Sequence, residues 1–344
     1  MRAAIQTGIR QIEVKDVERP RVLPGTAVVR VEAVGICGSD LHTYADRAQP
    51  QSAPEGHEFS GVVVEVSEGL SSVRVGERVA VDNCASGLGC GACDYCRAGA
   101  HVLCQGQKLP FGGGYAEYAR VGANGFYRLP DSVDLKLGAL AEPLAVGVHG
   151  VRHARIPQGA SVVILGAGTI GLMALFAARA LVGERVYITA KHPFQAEAAR
   201  RLGAAEVLPV EPEAALAAVR ELTGGGGADY VLEAVGGSTQ GTVNLAIEMV
   251  RPQGQLVILG SFHLHRAEVD FYRALEKELS LVFPLCYAVI DGRHDFEVAI
   301  DLIARQPRTF SSLITHEFPL SEAARAFEVA ADKSSQSIKV LLRP

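Results

Sequence analysis

The chain has 344 residues, long for one domain and comfortable for two. Its 48% hydrophobic and 21% charged content is that of an ordinary globular protein, and a net charge of −5 with no basic block gives no support to a nucleic-acid or anionic-membrane partner. No uncharged apolar run reaches the roughly 18 residues of a membrane span, and Met1-Arg2-Ala3-Ala4-Ile5-Gln6 carries no leader-like apolar stretch, so no membrane partner is expected and the cytoplasm is the expected compartment.

From Ala3 to Val66 the texture is β. Ala3-Ala4-Ile5, Ile12-Glu13-Val14, residues 27–33 and Gly61-Val62-Val63-Val64-Glu65-Val66 are short β-branched runs bounded by Gly and Pro, a pattern continued by residues 73–81. They predict a partly open barrel with loops beside it. In those loops lie Gly35-Ile36-Cys37-Gly38-Ser39-Asp40-Leu41-His42 and, further on, Gly56-His57-Glu58. A thiolate, an imidazole and a carboxylate in a glycine-rich setting suit a catalytic Zn²⁺ with three protein ligands and one open position. Cys37 and His57 are two of the candidate ligands, and Glu58 or a later carboxylate is the third.

Seven cysteines are present, and four of them form Cys90-Gly91-Ala92-Cys93-Asp94-Tyr95-Cys96 followed by Cys104. This spacing matches a closed, four-thiolate structural zinc site better than a disulfide framework. Cys84 and Cys286 read as small core or loop residues. Ala141-Glu142-Pro143-Leu144 starts a helix, with Pro143 suited to the first turn. Glu142 is either a helix-start charge favoured by the macrodipole or a ligand near the first zinc. His149, on the same helix, reads as a packed residue.

From Ser161 the texture changes to α/β. The apolar strand Ser161-Val162-Val163-Ile164-Leu165 runs directly into Gly166-Ala167-Gly168-Thr169-Ile170-Gly171 and then a helix, the strand–turn–helix setting in which such glycines bring a pyrophosphate to a helix N-terminus. Further strands at residues 185–189, 206–208, 229–233, 255–260 and 279–283, with helices between, predict a six-stranded doubly wound parallel sheet. Val235 and Gly260, near the ends of two of these strands, join the candidate cofactor residues. Where an NAD site places an acid on the ribose hydroxyls, this chain reads Thr189-Ala190-Lys191-His192. Ala190 removes a repulsive carboxylate and Lys191 can pair with a 2′-phosphate, which favours NADP over NAD; the bland alternative is a solvated lysine. Beyond Tyr287, helices near residues 296–304 and 322–331 and strands near 313–314 and 338–342 complete the chain. His263, His265 and His294 read as surface or loop residues.

Together these motifs resemble the zinc-dependent medium-chain dehydrogenase family, in its sorbitol, threonine and butanediol dehydrogenase branch, over essentially the whole length. The resemblance rests on the Cys37 and His57 segments, the four-cysteine lobe, Glu142-Pro143-Leu144 and the glycine fingerprint. It implies an α/β architecture in two parts: a GroES-like partly open β-barrel catalytic domain from residues 1–147 and 285–344, and a Rossmann domain from 148–284, with the active site between them and a homodimer or homotetramer as the assembly. By the same likeness Cys37, His57 and Glu58 hold the catalytic zinc, Glu142 is a direct or exchangeable ligand, and Asp40 supports His57. Ser39 takes the substrate proton and passes it by way of the nicotinamide ribose to His42, while the carbinol carbon gives hydride to the nicotinamide.

The implied activity is oxidation of a secondary alcohol of a polyol, diol or sugar-like compound to the ketone. A small-molecule alcohol or ketone is thus the expected partner. L-threonine 3-dehydrogenase and phosphorylated-polyol dehydrogenase are alternatives, and a catalytically silent zinc- and NADPH-binding protein is one from another class. Sorbitol enzymes of the branch carry an Arg-Tyr pair after the last Rossmann strand. Here the stretch reads Phe283-Pro284-Leu285-Cys286-Tyr287, without the Arg, which turns the expectation from sorbitol towards diols and other secondary alcohols. Tyr44 and Tyr287 are pocket candidates or packing residues.

Overall fold

The computed structural model describes residues 1–106, 112–237, 241–262 and 268–344, so His263 and His265 lie outside the described residues. The chain divides into two compact units: Met1–Glu142 with Ala288–Pro344, and Pro143–Tyr287.

The first unit is built around the strand Thr26–Gly35, whose Ala and Val side chains are buried on both faces. Glu58–Val66 pairs antiparallel along one edge of it. The other edge is shared: Tyr118–Gly122 pairs with its first half and Lys339–Arg343 with Val34 and Gly35 at its end. Arg78–Val81 and Phe126–Arg128 extend the sheet beyond Glu58–Val66, and Ile314–Pro319 pairs parallel to the last strand. Two register shifts between the central strand and Glu58–Val66 are bulges, which bend the sheet towards the barrel that the short strands predict. Val29, Val31, Val63, Val79, Val121 and Phe59 fill the interior, each such side chain stabilising by about 1.5–3 kcal/mol on burial. Only Arg78–Val81 of the expected 73–81 strand forms, because Gly76 takes a φ of +89° and turns the chain.

The register has a direct consequence for the chemistry, since Gly35 and Glu58 are opposite one another. The chain leaving Gly35 and the chain entering Glu58 therefore carry Cys37 and His57 to the same end of the barrel.

In the second unit six strands, Val162–Leu165, Val186–Thr189, Glu206–Leu208, Ala228–Glu233, Val250–Ile258 and Ser280–Val282, pair in parallel in the spatial order third, second, first, fourth, fifth, sixth. This is the doubly wound order, with its switch point between the first and fourth strands. The helix Thr169–Leu181 is buried without interruption from Gly171 to Ala178, which is why that stretch is almost all apolar. Val163, Leu165, Val231, Leu256 and Ile247 form the core beneath the sheet.

Candidate functional site

At the end of the central barrel strand, Cys37 becomes the N-cap of the helix Gly38–Asp46, and its backbone N–H donates to Asp40 Oδ2 at 3.0 Å. Asp40 Oδ2 also accepts the Tyr115 hydroxyl at 2.5 Å, and Asp40 Oδ1 lies 3.8 Å from His57 Nδ1. Asp40 is thus fixed from two sides, and its other oxygen faces His57 at a separation longer than a hydrogen bond. Ser39 and His42 lie on the same helix, three residues apart, with Ser39 partly buried and His42 exposed.

The ligand atoms of Cys37, His57 and Glu58 lie within 4.8 Å of one another. Glu58 is 1% exposed and accepts hydrogen bonds on both oxygens, at 2.8 and 2.6 Å, from Lys339 Nζ, which also donates to Ile36 O at 3.1 Å. This close packing explains Gly35, because a Cβ there would fall 2.1 Å from Glu58 Oε2.

Glu142, in the first turn of the helix Ala141–His153, is 8% exposed. Burial first and then the charge of Glu58 push its carboxyl up to about 8, against the pull of His57 and Lys339. For His57, burial works against the cation, but the charges of Cys37, Asp40 and Glu142 outweigh it and hold the imidazole well above its ordinary value. A centre in which Cys37, Asp40 and Glu142 all favour a positive charge on the imidazole is one that a divalent cation fits. Thiolate, imidazole and carboxylate are also the donor types of a catalytic zinc.

In the second cluster, Cys90 Sγ lies 3.9 Å from Cys96 Sγ and Cys93 Sγ lies 3.8 Å from Cys104 Sγ. Zn–S bonds of about 2.3 Å require sulfurs about 3.8 Å apart in a tetrahedron. The N–H groups of Cys90 and Gly106 point at Cys104 Sγ. Backbone N–H donors lower the Cys90 and Cys93 thiols, while burial raises Cys96. The lobe therefore fits a structural zinc. Cys84 and Cys286 are half-buried, outside it and in no disulfide.

The second unit presents Gly166 at φ +95° directly after its first strand, and Gly168 as N-cap of the following helix. A Cβ on Gly171 would fall 1.8 Å from Gly166 O, whereas one on Gly168 would meet nothing within 4 Å. The turn is thus tight on its inner side and open at the helix start, with Ala167, Thr169 and Ile170 between the glycines. Thr189 Oγ1 accepts from Gly166 N at 2.9 Å and so ties the second strand end to this turn. Ala190 is half-buried and Lys191 exposed beyond it. Val235 follows the fourth strand and is 43% exposed, and Gly260 N donates to Glu233 O.

Three residues at these sites carried no role in the sequence reading. Lys339 was visible only as a lone cation in an apolar last strand, and Tyr115 as the end of a glycine run. Glu233, fully buried, accepts from Val235 N, Gly236 N and Thr242 Oγ1 and so organises the loop after the fourth strand. One expectation is corrected: His294 is no surface residue but is 6% exposed, and its Nδ1 caps the helix Asp295–Arg305 by accepting from Phe296 N. His149 is packed at 4% exposure, and Tyr44 packs against Phe327, their ring centroids 5.3 Å apart.

Comparisons with known proteins agree with this fold. The alcohol dehydrogenase GroES-like domain matches residues 23–131 and the zinc-binding dehydrogenase domain matches residues 169–305. A sorbitol dehydrogenase of Halalkalibacterium halodurans is 34% identical over 339 residues, covering 95% of this chain and 94% of the relative. Among solved structures, the alcohol dehydrogenase TADH of Thermus sp. ATN1 superposes with a TM-score of 0.84 at 32% identity, covering 100% of this chain and 99% of the other. The 2R,3R-butanediol dehydrogenase of Bacillus subtilis gives 0.85 at 28% identity, with 100% and 99% covered. With both domain models matched across most of its length and a thiolate–imidazole–carboxylate centre at the barrel end, the chain belongs to the zinc-dependent medium-chain alcohol dehydrogenase family and is an oxidoreductase.

Proposed function

We propose that the chain interconverts a secondary alcohol of a polyol, diol or sugar-like compound and its ketone, with NADP favoured over NAD. The observation that carries this reading is the convergence of Cys37, His57 and Glu58 beside the buried carboxyl of Glu142. When bound, a zinc ion there supplies the Lewis acidity that lowers the pKa of a substrate hydroxyl, and a nicotinamide accepts the hydride. Cys37, His57 and Glu58 are its ligands in this reading, and Glu142 an exchangeable fourth carboxylate. Each Glu58 oxygen keeps a second lone pair, so the hydrogen bonds from Lys339 leave it able to ligate. Cys90, Cys93, Cys96 and Cys104 hold a second, structural ion.

Ser39 takes the hydroxyl proton and His42, exposed on the same helix, passes it to solvent. The carbinol carbon loses hydride as its oxygen loses that proton, leaving a ketone, and the reverse reaction restores both. Asp40, held by Tyr115 and the Cys37 N–H, keeps His57 oriented. The glycines Gly166, Gly168 and Gly171 with Ala167, Thr169 and Ile170 cradle the pyrophosphate. Val235 and Gly260 border the same end of the sheet, and Ala190 and Lys191 leave room and charge for a 2′-phosphate. Support for the substrate class comes from the sorbitol and butanediol dehydrogenases to which the chain is similar. An oligomer is supported by the exposed Phe271, Tyr272 and Leu275 of the helix Phe271–Glu276 and by the exposed Phe283 and Leu285, large apolar side chains of the kind a second copy covers.

The test is turnover of zinc-loaded protein with secondary alcohols, diols, polyols, amino alcohols and their ketones, each with NAD(H) and NADP(H). Turnover of a diol or polyol group with NADP is the expected result. Activity confined to L-threonine or to phosphorylated polyols would replace the substrate class, and a clear NAD preference would refute the Lys191 reading. Silence throughout, with both ligands bound, would favour a binding role.

A further inference from the structure

A third group of ligand-type side chains lies in the first unit, apart from both clusters above. Asp82 follows the strand Arg78–Val81, His101 opens the short turn His101–Leu103 inside the cysteine lobe, and His294 precedes the helix Asp295–Arg305. Their exposures are 0%, 7% and 6%. Asp82 Oδ2 stands 4.0 Å from His101 Nδ1 and 3.8 Å from His294 Nε2, and the ligand atoms of all three lie within 4.8 Å of one another. These separations are too long for hydrogen bonds. His101 Nδ1 is buried and makes no hydrogen bond, although it faces the carboxylate.

We propose that Asp82, His101 and His294 bind a divalent transition ion, zinc by preference, as a second structural metal site. One carboxylate and two imidazoles are a donor set that zinc accepts, with bonds of about 2.0–2.2 Å. Around such an ion the donors stand roughly 3.4 Å apart in a tetrahedron, so the carboxylate–imidazole separations of 4.0 and 3.8 Å have to contract by about half an ångström, and the two imidazole nitrogens, within 4.8 Å of each other, by at most about 1.4 Å. Each residue is already aimed. Asp82 Oδ1 accepts from Ala85 N at 2.7 Å, which turns Oδ2 towards the two rings. The Tyr127 ring stacks on His294 with centroids 5.1 Å apart and fixes its plane.

The surroundings favour a cation bound by neutral imidazoles. Burial pushes His101 down from its ordinary value, towards the neutral form that ligates. Burial, and after it the charges of Asp82, Glu297 and Asp295, push the Tyr127 hydroxyl up, so the field at this spot is negative. The Phe296 N–H donates to His294 Nδ1 at 3.2 Å, and with an ion on Nε2 the ring proton moves to Nδ1 and this hydrogen bond is given up. Losing one such bond weighs little beside three metal–ligand bonds. The ion would tie the segment around residue 294 to the base of the cysteine lobe and to the barrel, joining parts of the unit that are some 190 to 210 residues apart in sequence.

The test compares zinc content per chain in the full-length protein and in His101→Gln and His294→Gln, grown with added zinc and purified without chelator. Each variant is expected to hold one equivalent less than the unsubstituted protein and to unfold at a lower temperature, the difference in temperature vanishing after chelation. Equal zinc content in all three proteins overturns the site. Should the variants fail to fold, anomalous diffraction at the zinc edge on crystals of the unsubstituted protein decides. A peak bonded to Asp82, His101 and His294 supports the site, and its absence while the four-cysteine lobe shows a full peak overturns it.

Discussion

Lys339 shows how a single side chain can govern a candidate metal centre it does not enter. Its ammonium is 1% exposed and holds both oxygens of Glu58, and the charges of Glu58, Cys37 and Glu142 keep it charged despite the burial that works against it. Removing one partner of such a pair strands the other charge in the interior, which typically costs about 3–5 kcal/mol. Lys339→Met is therefore expected to lower the stability of metal-free protein by that order. Combining it with Glu58→Gln should restore much of the loss, measured as a double-mutant cycle in urea unfolding. Additive losses would show that the two side chains do not act as a pair.

Asp229 offers a residue-scale effect away from any metal. Burial would raise its carboxyl, but hydrogen bonds from Arg251 and from the Ser161 side chain and N–H bring it down to about 2. The folded carboxylate thus stays ionised while an unfolded one protonates near about 3.9. Its contribution, at most about 2.5 kcal/mol before the solvent screening of a part-exposed pair, is fully present above about pH 4 and disappears as the pH falls through about 2. Asp229→Asn should flatten the acid limb of stability against pH over that window. An unchanged slope would mean the pairing also persists in the unfolded chain.

At the scale of elements, what could be read in advance was what lies close together in sequence. The Cys37 and His57 segments, the four cysteines and the glycine turn each carry their chemistry within short stretches; the candidate ligand atoms of each cluster lie within 4.8 Å of one another, and Gly166 has the positive φ of a tight turn. The alternation of strands and helices after Ser161 likewise gave the sheet, since each buried parallel strand is an apolar run. Lys339 and Tyr115 stayed hidden because only tertiary pairing carries them to Glu58 and Asp40, 281 and 75 residues away. His294 was misjudged for the same reason: its partners, Asp82 and Tyr127, come from the barrel. The cysteine lobe, by contrast, is short of regular structure, with one turn of helix at Asp94–Arg97 and a short turn at His101–Leu103. With the proposed structural ion supplying its order, Cys93→Ser is expected to lose one zinc and to open the lobe to proteolysis. The barrel strands should stay protected from hydrogen exchange. A lobe as resistant as before would deny the metal its structural role.

At the scale of the whole molecule, the two units differ in how the chain builds them. The second is continuous, from Pro143 to Tyr287, and has its own core of Val163, Leu165, Val231, Leu256 and Ile247. The first needs both ends of the chain, because Lys339–Arg343 fits between Ile314–Pro319 and the central strand and brings Lys339 to Glu58. Without residues 288–344 Val34 and Gly35 lose one of their two strand partners and Glu58 its counter-ion, while Phe327 no longer covers Tyr44 and Tyr115. A fragment of residues 143–287 should therefore fold cooperatively and bind a dinucleotide, whereas a fragment of residues 1–142 should not fold alone. Adding residues 288–344 in trans, or joining them through a short linker in place of the second unit, should restore it. Circular dichroism and urea unfolding of the three proteins decide the matter: a cooperative transition in the isolated 1–142 fragment would mean that the barrel stands without its last strand.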